Sequence, residues 1–275
     1  MTAESLFATL FPSDCRLCGS PLTKISRLPV CEDCLSELRP LEGSICAICG
    51  ERLAGPFRVV DPQNEPRCAL CRQMEPAFAK AAAYGSYEGG LRDPIHLLKY
   101  ERVRPAANVL GRMLAEVIEK LAPGFDKKDL VLVPIPLHSS KLRQRGFNQS
   151  ELIARAALKL KPAGREWVLR PEILERCRST ASQTGLTHHQ RRENVRGAFV
   201  VRHPEEVASR EVLLIDDVLT TGTTASECAR VLRRAGATRV WVATVARTMK
   251  SEASYALTEE DSEEANERMA MAANG

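Results

Sequence analysis

An apolar run, Val212-Leu-Leu-Ile215, ends in two adjacent carboxylates, Asp216 and Asp217. After Val218 and Leu219 come Thr220, Thr221, Gly222, Thr223 and Thr224. A buried strand, a threonine-rich loop and a following helix would bring two chemistries together. The start of a helix offers free N–H groups and the positive end of a dipole, which suit a phosphate. Gly222 lets the backbone come close to the anion, and the threonines add hydroxyl donors. The aspartates repel a phosphate, so their use is as acceptors, and sugar hydroxyls fit them. The segment therefore offers donors for a phosphate beside acceptors for a ribose diol. It is neither a G-x-x-x-x-G-K-[ST] loop nor a G-x-G-x-x-G fingerprint. A plainer reading makes Asp217 a turn cap and Thr223 a helix cap. The whole combination exceeds what capping requires.

The second chemical pattern lies near the start of the chain. Eight of the ten cysteines fall in the first 71 residues, as four CxxC pairs: Cys15/Cys18, Cys31/Cys34, Cys46/Cys49 and Cys68/Cys71. Two intervening residues let both sulfurs of a pair reach one metal, and two pairs complete a tetrahedral shell. Gly19 and Gly50 follow the first and third pairs, where positive φ would help backbone N–H groups turn towards thiolates. The repeat favours sequential sites, Cys15, Cys18, Cys31 and Cys34 for one Zn²⁺ and Cys46, Cys49, Cys68 and Cys71 for the other. An interleaved cross-brace is the competing arrangement. Closed four-cysteine shells leave no ligand position open, so both zincs are expected to be structural and to supply folding energy. Disulfides and redox-active CxxC pairs are the alternatives that an intracellular setting and four copies disfavour.

These residues need elements to hold them. Ala79–Tyr87 reads as a strand entering a turn at Gly89-Gly90, and Leu91–Lys99 and Val103–Leu121 as helices, the latter with Val109, Leu110, Met113, Leu114, Val117, Ile118 and Leu121 on one face. The apolar runs Leu130–Ile135, Val212–Ile215 and Val240–Val245 read as strands buried on both faces. Asn148–Leu160 and Thr224–Ala235 read as helices. Strands alternating with helices imply a parallel α/β sheet, which binds ligands at the C-terminal ends of its strands. The drop in cysteine content near Glu75-Pro76 divides the chain into a zinc module over 13–75 and an α/β body over 77–248. Residues 250–275, rich in Glu and Asp, read as a disordered acidic extension.

Beyond these patterns, Val212–Thr224 resembles the phosphoribosyl diphosphate (PRPP) signature of type I phosphoribosyltransferases. The CxxC pairs resemble the double zinc ribbon of the ComF (ComFC-like) competence proteins. Gly85-Ser-Tyr-Glu-Gly89, Leu98-Lys99-Tyr100, Val133-Pro-Ile-Pro-Leu-His138, Leu142-Arg-Gln-Arg-Gly-Phe-Asn-Gln149 and Gln190-Arg-Arg-Glu-Asn-Val-Arg-Gly197 resemble the same family. The resemblance runs from Ser13 to Arg247 and leaves out the acidic tail. It implies a phosphoribosyltransferase-like parallel α/β domain behind a small zinc-ribbon module. It also implies that Asp216 and Asp217 hold the ribose hydroxyls and act in catalysis, that Thr220, Thr221, Gly222, Thr223 and Thr224 wrap the 5′-phosphate, and that Lys141, Arg143 and Arg145 stand near the diphosphate. Arg176–Arg196 would form a hood over the site. Diphosphate departure builds negative charge, so Mg²⁺ and basic side chains are expected to assist it. Thr180–Thr187 has the composition of a mobile loop. For Arg191, Arg192 and Arg196 a solvated helix face is the alternative to ligand contact, and His138, His188 and His189 lack an identified partner.

Two functions of different kinds follow. One is a phosphoribosyltransferase, a pentosyl-transferring glycosyltransferase whose acceptor is open. The other is single-stranded DNA binding without turnover, alongside DNA-uptake proteins in natural transformation. A net charge of +4 permits an anionic partner, while an aromatic content of 5% gives little for bases to stack on. A glutamine-dependent amidophosphoribosyltransferase is disfavoured, because residue 2 is Thr and CxxC pairs fill the N-terminal region. With no basic leader and no apolar run long enough for a span, a cytoplasmic setting is expected.

Overall fold

The computed structural model describes residues 13–22, 26–53, 65–126, 129–180 and 188–249. The side chains of His188 and His189 lie outside the described set. So do residues 181–187 of the expected mobile loop and the acidic tail from residue 250 onwards.

The described elements, in chain order, are α1 (Glu32–Ser36), α2 (Ala69–Gln73), β1 (Lys80–Ser86), α3 (Arg92–Lys99), α4 (Ala106–Leu121), β2 (Asp129–Pro134), α5 (Ser139–Arg145), α6 (Gln149–Leu158), β3 (Glu166–Leu169), β4 (Leu174–Arg176), α7 (His188–Val195), β5 (Phe199–Val201), β6 (Glu211–Leu219), α8 (Thr223–Arg234) and β7 (Arg239–Arg247). Five strands form one sheet in the order β1-β7-β6-β2-β3, with every pairing parallel. β4 and β5 pair antiparallel in a separate two-stranded sheet.

The apolar runs become β2, β6 and β7 because both faces of the sheet are covered. Alternate side chains serve two cores. Leu213, Ile215, Ala243 and Val245 pack with α3, α4 and α6, where the predicted face of α4 is fully buried. Val212, Leu214, Val240 and Val242 pack with Ala225, Cys228, Ala229 and Leu232 of α8 on the other side. The ribbons share these cores. Cys15, Leu28, Val30 and Leu38 join the first, and Cys46, Cys49, Leu53, Cys68 and Cys71 the second.

Several boundaries differ from expectation. A π-helical turn, Tyr87–Leu91, links β1 to α3, so α3 starts at Arg92. α4 starts at Ala106 because Arg102 takes φ 57° and Pro105 sits at the N-cap. The largest difference concerns β6. It was expected to end at Ile215 and instead continues to Leu219, because β7 keeps pairing alongside, with Asp216 opposite Thr244 and Leu219 opposite Arg247. On its other edge the pairing with β2 stops at Pro134 opposite Ile215. The carboxylates thus sit where one neighbour has left and the other remains.

Candidate functional site

The pairing of β6 with β2 ends one residue before Asp216. The loop after β2 stays tied to the sheet by Ile135 N–H donating to the Ile215 carbonyl at 2.9 Å. His138 caps α5, its Nδ1 accepting from the Ser140 amide at 3.4 Å, so this histidine has a structural partner. Asn148 caps α6 through the Ser150 amide at 3.1 Å and donates to the Ile135 carbonyl at 3.1 Å. That turn delivers Ser150, whose Oγ donates to Asp216 Oδ1 at 2.9 Å. Asp217 N–H donates to the same oxygen at 2.9 Å. The Lys99 ammonium forms an ion pair with Asp217 Oδ2, with only 17% and 5% of the two side chains exposed.

The two neighbours therefore differ in charge. Burial, then the Asp217 charge, pushes Asp216 up to about 7. Burial opposes ionisation of Asp217 as well, but Lys99 overrides it and holds Asp217 below the usual carboxylate range. Burial pulls Lys99 down, yet its acidic neighbours leave it above its ordinary value.

Beyond Leu219 the loop turns at Gly222, which has φ 75° and occupies the N-cap of α8. No side chain caps this helix, contrary to the expected role of Thr223. Thr223 is the first helical residue, and its hydroxyl shares a 2.8 Å hydrogen bond with Thr221. The first turn of α8 has no acidic residue. The positive end of its dipole thus favours an anion there.

The cysteines fall into the two sequential sets, and the cross-brace is not formed. In each set of four the sulfurs lie within 4.8 Å of one another. Sulfur separations of 3.9 Å (Cys15–Cys34), 3.7 Å (Cys18–Cys31) and 3.7 Å (Cys49–Cys68) match the about 3.8 Å edge of a tetrahedron with 2.3 Å zinc–sulfur bonds. None of the ten cysteines forms a disulfide. Gly19 and Gly50 take φ 75° and 70°, as expected, but their N–H groups go to the Cys15 and Cys46 carbonyls. In the first set the amides reaching sulfur belong to Leu17, Cys31 and Cys34.

Comparison with known proteins accounts for this pairing of parts. A double zinc ribbon domain model matches residues 6–64, and a phosphoribosyl transferase domain model matches residues 168–264. DNA utilization protein YhgH of Salmonella typhimurium is 31% identical over 240 residues, covering 86% of this chain and 98% of that protein. Competence protein F of Haemophilus influenzae is 26% identical over 228 residues, covering 81% and 92%. The chain belongs to the ComF family. Competence protein ComFC of Bacillus subtilis is 24% identical over 216 residues, covering 75% and 79%.

In this ComF chain the basic residues gather around the carboxylates more fully than the sequence indicated. Burial, then the charges of Arg176, Arg145 and Lys99, lowers the pKa of Lys141, so four cations share one neighbourhood. Arg145 bonds Gln149 and lies over the Tyr100 ring at 5.7 Å. Arg176 lies over Phe199 at 5.5 Å, bonds Thr180 and feels the charge of Asp216. Arg143 is exposed and makes no ion pair among the described residues. Lys99 and Arg176 were not singled out as site residues. Lys99 stood in a recognised tripeptide, but nothing local ties residue 99 to residue 217. Arg247 was missed for the same reason. It lies at the end of β7, where its Nη2 donates to Glu51 Oε2 at 2.9 Å and to Cys49 Sγ at 3.5 Å, fully buried between ribbon and sheet.

Proposed function

We propose that this protein binds PRPP with Mg²⁺ at Asp216–Thr224 and transfers its phosphoribosyl group, serving DNA or nucleotide handling in the cytoplasm. One observation carries the reading. A helix start without a side-chain cap stands beside a half-buried and a buried carboxylate, Asp216 and Asp217, at the C-terminal end of the central strand, with Lys99, Lys141, Arg145 and Arg176 nearby. The N–H groups of α8 and the threonine hydroxyls hold the 5′-phosphate. Asp216 and Asp217 accept from the ribose hydroxyls, and the diol displaces or shares Lys99 at Asp217. Lys141, Arg145 and Arg176, with Lys99 once released, face the diphosphate and stabilise the charge that grows as it leaves. Mg²⁺ bound with PRPP supplies further neutralisation of that leaving group. A pentosyl cation reacts with water, so a hood over Arg176–Arg196 would serve to keep water out.

Calorimetry with PRPP and Mg²⁺ tests this on the wild type and Asp217→Ala. Loss of a charge-assisted hydrogen bond costs ~1.5–3 kcal/mol, so affinity should fall about tenfold or more. Two adjacent like charges alone would predict that the variant keeps its stability. The Lys99 ion pair corrects that expectation. Removing Asp217 strands a buried ammonium, and stability should drop by about 3 kcal/mol. Adding Lys99→Met should restore most of the stability but not the affinity. An Asp217→Ala protein that melts early yet binds PRPP as the wild type does would reduce Asp217 to a structural residue.

Single-stranded DNA binding is the second reading. The related proteins carry names that refer to DNA utilization and competence, and α7 is rich in arginine.

A further inference from the structure

Arg192 of α7 and Arg196 just beyond its end line a cavity of about 550 Å³ that does not include Asp216 or Asp217. The cavity lies between the second ribbon, α7 and one face of α8, and it reaches the loop at Thr221–Thr223. Ser226, Arg230 and Arg234 extend along that face at steps of four, as neighbours on a helix must.

The cavity's charges do not cancel locally. Glu227 is engaged by Arg230 at 2.8 Å and by the Gly197 amide at 2.8 Å. Glu193 pairs with Arg196 at 3.7 Å, and Glu75 with Arg67 at 3.9 Å. Arg192 and Arg234 make no ion pair among the described residues. Arg192 Nη1 instead lies 2.8 Å from Met74 Sδ, a weak acceptor. Two helices thus bring guanidinium groups to one cavity, and a guanidinium matches a phosphate with paired donors. The remaining wall is apolar, with Leu70, Met74, Pro76, Phe78 and Val195. Its size falls in the range of small-ligand sites, roughly 300–1,000 Å³. A phosphate needs the arginines, and a flat apolar ring needs the Met74–Phe78 wall.

We propose that this cavity binds a free nucleoside 5′-phosphate, at a site separate from the carboxylates of the phosphoribosyl loop. The observations behind it do not depend on PRPP binding. Calorimetry on the zinc-loaded full chain tests it, with adenosine monophosphate and inorganic phosphate as probes. A nucleotide could also settle on the ribose carboxylates, so the comparison is made in Asp217→Asn, or in Asp216→Asn if that variant fails to fold. Adenosine monophosphate should still bind there. Arg192→Glu or Arg234→Glu, both at exposed positions, should each lower its affinity about tenfold or more. Inorganic phosphate should bind at least about tenfold more weakly than the nucleotide, because it cannot use the apolar wall. The proposal is overturned if the carboxylate change abolishes nucleotide binding, or if both arginine changes leave it intact. Equal affinity for phosphate and nucleotide would overturn it too, since the wall would then contribute nothing.

Discussion

Burial and the Asp217 charge raise Asp216 to about 7 in the folded chain, while Lys99 lowers Asp217. The consequences for stability have opposite signs. Unfolded, Asp216 returns to the ordinary aspartate range of about 4. Between about pH 4 and pH 7 the folded chain therefore holds a proton that the unfolded chain has released. The stability linked to Asp216 is complete below pH 4 and is lost as pH rises towards 7. Asp217 behaves in the other direction, and its contribution is lost only in more acidic solution. Chemical denaturation from pH 4.5 to 7.5 should show a falling component that Asp216→Asn removes, and an unchanged slope in the variant would show that Asp216 does not hold that proton. The sequence disclosed the carboxylates themselves, because their type and position after an apolar run carry a meaning. It did not disclose their unequal charge, which depends on Lys99 and Ser150. Those residues arrive from α3 and α6, across more than sixty positions of chain, and no local pattern encodes such a meeting.

The two zinc ribbons repeat one sequence motif but sit in different surroundings. In the first, Cys18 is exposed and Cys31 and Cys34 are half-buried, whereas all four cysteines of the second are buried. The second ribbon is also joined to the sheet. Ala81 N–H donates to the Ile48 carbonyl at 2.6 Å, and Arg247 reaches Cys49 and Glu51. Two zinc ions per chain are expected in protein purified without chelator. Cys18→Ser should lose one zinc and leave the body folded, with most of its melting temperature retained. Cys49→Ser should lose the other and unfold the sheet edge, because Arg247 would keep its charge but lose part of its buried partner set. Metal analysis with melts on both variants checks this, and equal damage from the two changes would contradict it. At this scale β2, β6 and β7 were legible, since long apolar runs have one natural fate in a parallel sheet. The edge strand β3 and the strands β4 and β5 were not. They have four, three and three residues, too few for a periodicity to show.

For the whole molecule, a net charge of +4 is too small to hold a nucleic acid at a distance, so any DNA binding must be local. If single-stranded DNA binds through three phosphates, affinity should fall roughly twentyfold between 50 and 200 mM salt, at a slope of about −0.7 per phosphate. Fluorescence anisotropy at those two concentrations measures it, and a flat response would exclude backbone binding. The parallel architecture was legible from the alternation of strands and helices, but the order of strands was not, because sequence adjacency says little about which strands become neighbours. That order has a bearing on synthesis. The first strand of the sheet, β1, has the last strand, β7, as its sheet neighbour, with Lys80 opposite Trp241. Until the ribosome has added residues 239–247, β1 lacks its sheet neighbour and has only its bonds to the segments before it, such as Ala81 N–H to the Ile48 carbonyl, so most of its backbone groups are open to wrong partners. The ribbons lie earlier in the chain and need only zinc to close, so they can fold while the rest is still being made. A cell short of zinc would then produce chains in which the β1 edge of this sheet is left unsecured, and the shortage should first appear as aggregation during translation, before any loss of zinc from finished protein.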